Sequence, residues 1–497
     1  MKLYGRNGEK LSDLLISSGC NIIQPCGGRG ACGGCAIRAS GEIGEASEAE
    51  KALIAGKGKS PNEFRLACMC KVYGQVEAIL LESDAEALSS SFGKLPEYDG
   101  SSSSALGIAV DLGTTTIALQ LFDMRNGILL STQTSLNPQT AYGSDVLSRI
   151  AHSDERGPEA LCLAVRDEIW KMAEKAISFA KADASRIERL CIAGNTTMLH
   201  FLLGLDPHGI GVAPFTAQSL FGESIRADSI FPKLSSAELY LPNCISAYIG
   251  ADIACGIAAI STERAGKGPW LLIDAGTNGE MALMMDGKIT CAATAAGPAF
   301  EGAQISMGMI AKKGAVYQAY EENGEILVKT IGGAQALGVC GTGLVSAAKL
   351  ALETHALEDS GYLKEDPFVL GGSGISLTGR DFRQLQLAKS AIAAGMESLL
   401  RISGCEPSEL NEMLFAGGFG NFLNPDESAR IGLIPKAARL KAKAVGNTSL
   451  FGAAMALFSR KARQDIAAIA KTAVEVKLSS NPLFTELYMD HMMFEEF

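Results

Sequence analysis

The apolar positions of this chain fall into two stretches that share one design. In "LGIAVDLGTTTIALQLFDMRNGILLSTQT" an apolar run ends at Asp111, a Gly-Thr turn follows, and a second run leads through Asn126-Gly127 to a third. In "PWLLIDAGTNGEMALMMDGKITCAAT" the order recurs, with Asp274 before a Gly-Thr turn and Asp286-Gly287 before the last run. Short apolar runs bounded by Gly, Asn and Asp predict strands, and Asn-Gly and Asp-Gly predict tight hairpins. Two meanders, each opening on D-x-G-T-[TN], form an internal repeat. A third pattern, "EMLFAGGFGNFLNPDESARIG", predicts a strand running into Gly417, Gly418 and Phe419, then a helix capped near Asn424-Pro425.

Ahead of these stretches the pattern changes. "CGGRGACGGC", residues 26–35, holds three cysteines and five glycines in ten residues. Cys26, Cys32 and Cys35 are spaced C-x5-C-x2-C, and a fourth thiolate is available from Cys68 or Cys70 in "RLACMC". Three thiolates in one loop with a distant fourth is the pattern of a [2Fe–2S] site. Glycines suit it, because the loop must adopt unusual backbone angles and aim N–H groups at sulfur. A zinc site on Cys32, Cys35, Cys68 and Cys70 is the alternative, but it leaves Cys26 and the glycines without a purpose. Residues 84–105, with two serine runs, a proline and little apolar periodicity, predict a flexible tether.

Composition narrows the function. The chain has 497 residues, 47% of them apolar and 20% charged, which is ordinary for a globular protein of two or three domains. A net charge of −11 without a basic stripe argues against nucleic acid. No apolar run reaches the eighteen residues or so of a membrane span. Thirteen cysteines, an odd count set mostly in apolar contexts, fit a reducing cytoplasm.

The chemistry of the repeat is that of phosphate binding. A Gly-Thr turn presents backbone N–H groups and hydroxyls to phosphate, and an aspartate at the strand end holds Mg²⁺, usually through water. Two such turns across a cleft clamp a nucleotide triphosphate. The residues involved are Asp111, Gly113, Thr114 and Thr115 in one turn and Asp274, Gly276, Thr277 and Asn278 in the other.

Two resemblances follow from these motifs. Residues 1–83, with "PCGGRGACGGC" and "RLAC", resemble [2Fe–2S] ferredoxins, which implies a β-grasp-like domain and makes Cys68 the fourth ligand beside Cys26, Cys32 and Cys35. About residues 106–470 resemble the acetate and sugar kinase, heat-shock chaperone and actin superfamily. That implies an α/β multidomain protein with two ribonuclease-H-like subdomains, 106–248 and 249–497. ATP and Mg²⁺ would lie between them, with Gly417, Gly418 and Phe419 at the adenosine. In that superfamily an acidic or amide side chain before the second phosphate loop positions the attacking water. Asp252 is the only acidic residue in "AYIGADIACGIAAI", so it takes that role, while Glu301 in "GPAFEG" is expected at the surface by default, with contact to Mg²⁺ or a ribose hydroxyl as the alternative.

The combination is also specific. A plant-type cluster sits near roughly −400 mV. Passing its electron to an acceptor ~100–200 mV lower costs ~2–5 kcal/mol, which ATP can offset. "DLGTTTIA", "NPQTAYGSDVLSRI", "DAGTNGE", "GPAFEGAQISMGM", "GVCGTGLVSA" and "AGGFGNFLNP" resemble the reductive activators of corrinoid proteins. The resemblance implies ATP-driven return of Co(II) corrinoid to Co(I) in a methyltransferase system. Its partners would be a corrinoid protein or corrinoid-dependent methyltransferase and an external low-potential electron donor, and a homodimer is compatible with it. One departure is that only the tether stands where such proteins usually carry a further small domain. Two alternatives are the same machine serving a non-corrinoid metalloenzyme, and a regulatory ATPase that senses redox state.

Overall fold

The computed structural model describes residues 2–18, 30, 35–55, 60–79, 94–101, 105–234, 237–264, 266–420 and 423–497. Cys26 and Cys32, and most of the expected tether, lie outside them.

Both meanders form as the sequence pattern requires. Leu106–Leu112, Thr116–Asp123 and Ile128–Leu136 pair antiparallel in sequence order, as do Trp270–Ala275, Gly279–Met285 and Lys288–Thr294. The turn residues adopt the left-handed angles these hairpins demand, with φ of 70° at Gly127, 52° at Asp286 and 75° at Gly287. Each meander heads a six-stranded sheet in which a parallel strand flanks the Asp-bearing one, Ile187–Gly194 in the first and Glu412–Ala416 in the second. Parallel central strands are covered on both faces, which is why Leu106–Ala109 and Trp270–Ile273 are buried without a break. Each fully buried Leu or Ile contributes about 1.5–3 kcal/mol relative to exposure.

The two sheets are not built from two contiguous halves. Thr448–Phe458, far along the chain, returns to pack against the first sheet, where Ala453, Ala454 and Leu457 join a core with Ala109, Ala118 and Ala193. Alanine-rich faces permit that close approach. The strands of the first sheet end at Tyr240 and those of the second begin at Trp270, while the helix Thr448–Phe458 crosses back to the first.

The N-terminal region forms a separate five-stranded sheet around Leu11–Ser17 and a small core of its own. Within it Arg65 pairs with Glu50 through two hydrogen bonds, at 2.9 and 3.1 Å, and Glu50 also accepts from the Leu66 N–H. This buried pair fixes the chain leading into Cys68.

The described part of the expected tether is anchored rather than free. Tyr98 donates to Glu188 at 2.9 Å and lies edge-on to Phe458, while Asp99 accepts from Arg189 at 2.7 Å. Serine and glycine around these residues suggest a loose chain, but one aromatic and one carboxylate suffice to dock it. Among the described residues, no helix is long and apolar enough to cross a membrane.

Candidate nucleotide cleft and thiol pair

The strand Leu106–Leu112 delivers Asp111 to the mouth of the first turn. Gly113 N–H closes that turn on the Thr116 carbonyl at 3.1 Å, and a Cβ on Gly113 would lie 2.6 Å from the same oxygen. Only glycine fits. The second turn closes in a similar way, Gly276 N–H donating to the Asn278 carbonyl at 2.9 Å. The two turns face each other across a cleft of about 250 Å³, lined by Asp111, Gly113, Thr114, Thr115, Asp252, Asp274, Gly276, Thr277, Asn278, Gly417 and Phe419.

The cleft is strongly acidic. Asp111, Asp252, Asp274, Glu280 and Glu301 line it, and no lysine or arginine does among the described residues. Burial pushes the carboxyl of Asp274 up to about 7, with the charge of Asp111 adding to it. Burial and then Asp111 do the same to Asp252, also to about 7. Glu280 is raised well above its ordinary range by burial beside Asp252 and Asp274. Asp111 is raised by burial, against the opposing pull of two hydrogen bonds. Its oxygens accept from Asn447 Nδ2 and Ser449 Oγ, both at 2.7 Å, at the start of Thr448–Phe458. Carboxyls crowded in this way favour a cation beside them, and a triphosphate entering with its metal would bring one. Among the described residues no three acidic, Cys or His groups converge tightly enough to chelate a bare ion. The donor set therefore suits a cation that keeps waters and takes phosphate oxygens as ligands, as Mg²⁺ does.

Glu301 is not at the surface, as its sequence context had suggested. The short turn Pro298–Glu301 carries its carboxylate between the two loops. Thr115 Oγ1 and Thr277 Oγ1 both donate to Glu301 Oε2, at 2.6 and 2.7 Å. A carboxylate thus bridges the hydroxyls of both Gly-Thr turns. At the other end of the cleft, Gly417 has φ of 77° and approaches Asp274 so closely that a Cβ would lie 2.7 Å from Oδ1. Phe419, two residues on, packs against Phe300 with ring centroids 4.4 Å apart. Gly418 lies between them in the single turn Gly417–Gly420.

Asn195, just past the strand Ile187–Gly194, donates to Thr114 Oγ1 at 2.9 Å. His200 is fully buried, with Nδ1 2.7 Å from the Thr196 carbonyl, and belongs to the core. Glu280, Asn447, Ser449 and Phe300 were not singled out from sequence. Glu280 lies six residues after Asp274, directly across the strand pair from it, and that register was a usable signal. Asn447 and Ser449 gave none, since nothing local joins them to Asp111.

In the N-terminal region Cys35 and Cys68 bring their sulfurs to 3.2 Å. The hydrogen bond from Cys35, helped by the Gly30 N–H, lowers the Cys68 thiol to about 7 despite burial. Burial instead pushes Cys70 up to about 11. A lowered Cys68 thiol beside a second sulfur fits a centre ligated by thiolates. Cys70 does not share that environment.

Comparison with known proteins identifies the chain. The family model described as the C-terminal, ASKHA domain of RACo matches residues 269–496, and that of the RACo middle region matches 106–265. The "Corrinoid activation enzyme RamQ" of Eubacterium limosum is 32% identical over 78% of this chain and 70% of its own length. This chain belongs to the family of reductive activators of corrinoid proteins. The "[Co(II) methylated amine-specific corrinoid protein] reductase" of Methanosarcina barkeri is 29% identical over 77% of this chain and 76% of its own. A solved "Reductive activator for corrinoid,iron-sulfur protein" superposes with a TM-score of 0.74 at 26% identity, covering 98% of this chain and 96% of that one. Both matched regions line the acidic cleft, the middle region through Asp111 and Asp252 and the C-terminal one through Asp274, Glu280 and Glu301.

The Glu301 bridge has a measurable consequence. Replacing Glu301 with Gln removes a negative charge from between the phosphate-binding turns, where like charges repel at close range. Nucleotide binding at low Mg²⁺ should tighten, by about tenfold for a gain of ~1.4 kcal/mol. Calorimetric titration with ATP at fixed low Mg²⁺ checks it.

Proposed function

We propose that this protein spends ATP to place one electron on the Co(II) centre of a corrinoid protein, returning it to Co(I). What supports this most is one chain holding both a nucleotide cleft between paired Gly-Thr turns and a pair of abutting thiols, within a family whose members act on corrinoid proteins. Backbone N–H groups of the two turns bind the phosphates of ATP. Asp111 and Asp274 hold Mg²⁺ through water. Gly417 and Gly418 let the backbone lie against the adenosine, beside Phe419. Asp252 has Oδ1 engaged by the Ile253 N–H at 2.8 Å, which leaves Oδ2 to orient the attacking water and take its proton.

Cys26, Cys32, Cys35 and Cys68 would hold a [2Fe–2S] cluster, which would supply one-electron transfer between an external low-potential reductant and Co(II). ATP and water leave the cleft as ADP and phosphate. ATP contributes by favouring the complex in which transfer to cobalt runs downhill.

Asp252→Asn should bind ATP as the parent does but turn over ~10²–10⁴-fold more slowly, the range of a positioned base. Calorimetry beside phosphate-release rates distinguishes the two effects. Cys68→Ser should disturb or abolish the cluster while Cys70→Ser leaves it intact, read by iron content and EPR of the reduced protein. Co(I) should form only when ATP, Mg²⁺ and reductant are all present, followed by its visible spectrum under strict anaerobiosis. Co(I) formed equally fast without nucleotide would sink the coupling. Partner-stimulated ATPase without any cobalt reduction would point to a different acceptor.

A further inference from the structure

The motif "NPQTAYG" lies outside both the nucleotide cleft and the thiol pair, yet it touches the surroundings of each. Asn137 is fully buried, and it reaches the first phosphate-binding turn twice. Its N–H donates to the Thr115 carbonyl at 2.7 Å, and its Nδ2 donates to the Gly113 carbonyl at 2.8 Å. Arg149, also fully buried, donates through Nη2 to the Thr114 carbonyl at 2.6 Å and through Nε to the Gly143 carbonyl at 3.0 Å. All three carbonyls of the turn are therefore held by this one segment.

The middle of the segment faces the other way. Ala141 and Tyr142 pack into the apolar core of the N-terminal region, together with Leu11, Leu14 and the thiol-bearing Cys35 and Cys68. The charge of Asp13, in the helix Leu11–Ser17, is felt at the Tyr142 phenol. That helix is tied to the chain on both sides of Cys68. Leu11 N–H donates to the Cys70 carbonyl and Ser12 N–H to the Ala67 carbonyl, each at 2.8 Å. Ala67 N–H in turn donates to the Cys35 carbonyl at 3.0 Å.

The segment between the two ends has little slack. Gln139 is fully buried and donates to the Leu161 carbonyl at 3.0 Å, and the Tyr142 N–H closes on the Gln139 carbonyl at 2.9 Å. Buried donors that lose their acceptors are costly, and more so when charged. If the carbonyls of the turn shift when phosphate binds its N–H groups, Asn137 and Arg149 must shift with them.

We propose that residues 137–149 couple the first phosphate-binding turn to the seat of the N-terminal domain, with Asn137 and Arg149 as positioning residues on the turn and Tyr142 as the contact on the domain. Nucleotide in the cleft thereby alters how the helix Leu11–Ser17 rests on the body of the protein, and with it the loop that carries Cys68. This rests on the reading of the cleft as an ATP site and of Cys68 as a cluster ligand.

The test is hydrogen exchange of the full-length, cluster-loaded protein with and without a Mg²⁺-bound non-hydrolysable ATP analogue, alongside calorimetry. In the parent protein the analogue should change exchange in peptides spanning 9–17 and 64–72. Tyr142→Ala should keep nucleotide affinity within about twofold yet lose that change, since local opening there no longer depends on the segment. Tyr142→Phe, which keeps the ring, should retain it. The same response retained in full by Tyr142→Ala overturns the proposal, as does a parent protein that binds the analogue without any change at 9–17. Absence of binding by calorimetry overturns the ATP reading itself, and this proposal with it.

Discussion

Two buried aspartates at the ends of homologous strands, Asp111 and Asp274, face one cleft closely enough that the charge of one raises the pKa of the other. Such a pair is unfavourable unless something positive stands between them. The surrounding structure adds acid rather than base, through Asp252, Glu280 and Glu301. A triphosphate entering with its metal would suit such a lining.

The same crowding explains how the two sheets are joined. Asp111 is restrained by Asn447 and Ser449 from a helix far along the chain, and Thr115 and Thr277 meet over Glu301. The cleft is therefore closed by polar contacts that a phosphate can replace. An apolar seam would resist opening, whereas hydroxyl and carboxylate contacts exchange readily for phosphate oxygens.

Around that centre the chain ahead of the first sheet makes two contacts with the body. The chain leading out of the tether docks through Tyr98 and Asp99 at Glu188 and Arg189, and the domain's core is completed by Ala141 and Tyr142 of the body. The N-terminal domain therefore rests on the segment that also holds the carbonyls of the first Gly-Thr turn.

What was legible in the residues is what depends on short range. Strand runs, Asn-Gly and Asp-Gly hairpins and the cap at Asn424 follow from neighbours in the chain, because turn angles and caps are local. The duplication of D-x-G-T marked the two turns, and the cysteine spacing with "RLAC" singled out Cys35 and Cys68, which do meet. Glu301 was misjudged because a glutamate in a glycine-rich segment looks solvated until both Gly-Thr turns close on it. The tether was judged by its serines, while its docking depends on Glu188, Arg189 and Phe458, none of them nearby in sequence. Asn447 and Ser449 reach Asp111 across more than three hundred residues. Sequence periodicity carries the geometry of a turn or a strand, since that geometry repeats over a few residues. Which distant side chain fills a cleft is settled only when packing brings the two sheets and their returning helix together.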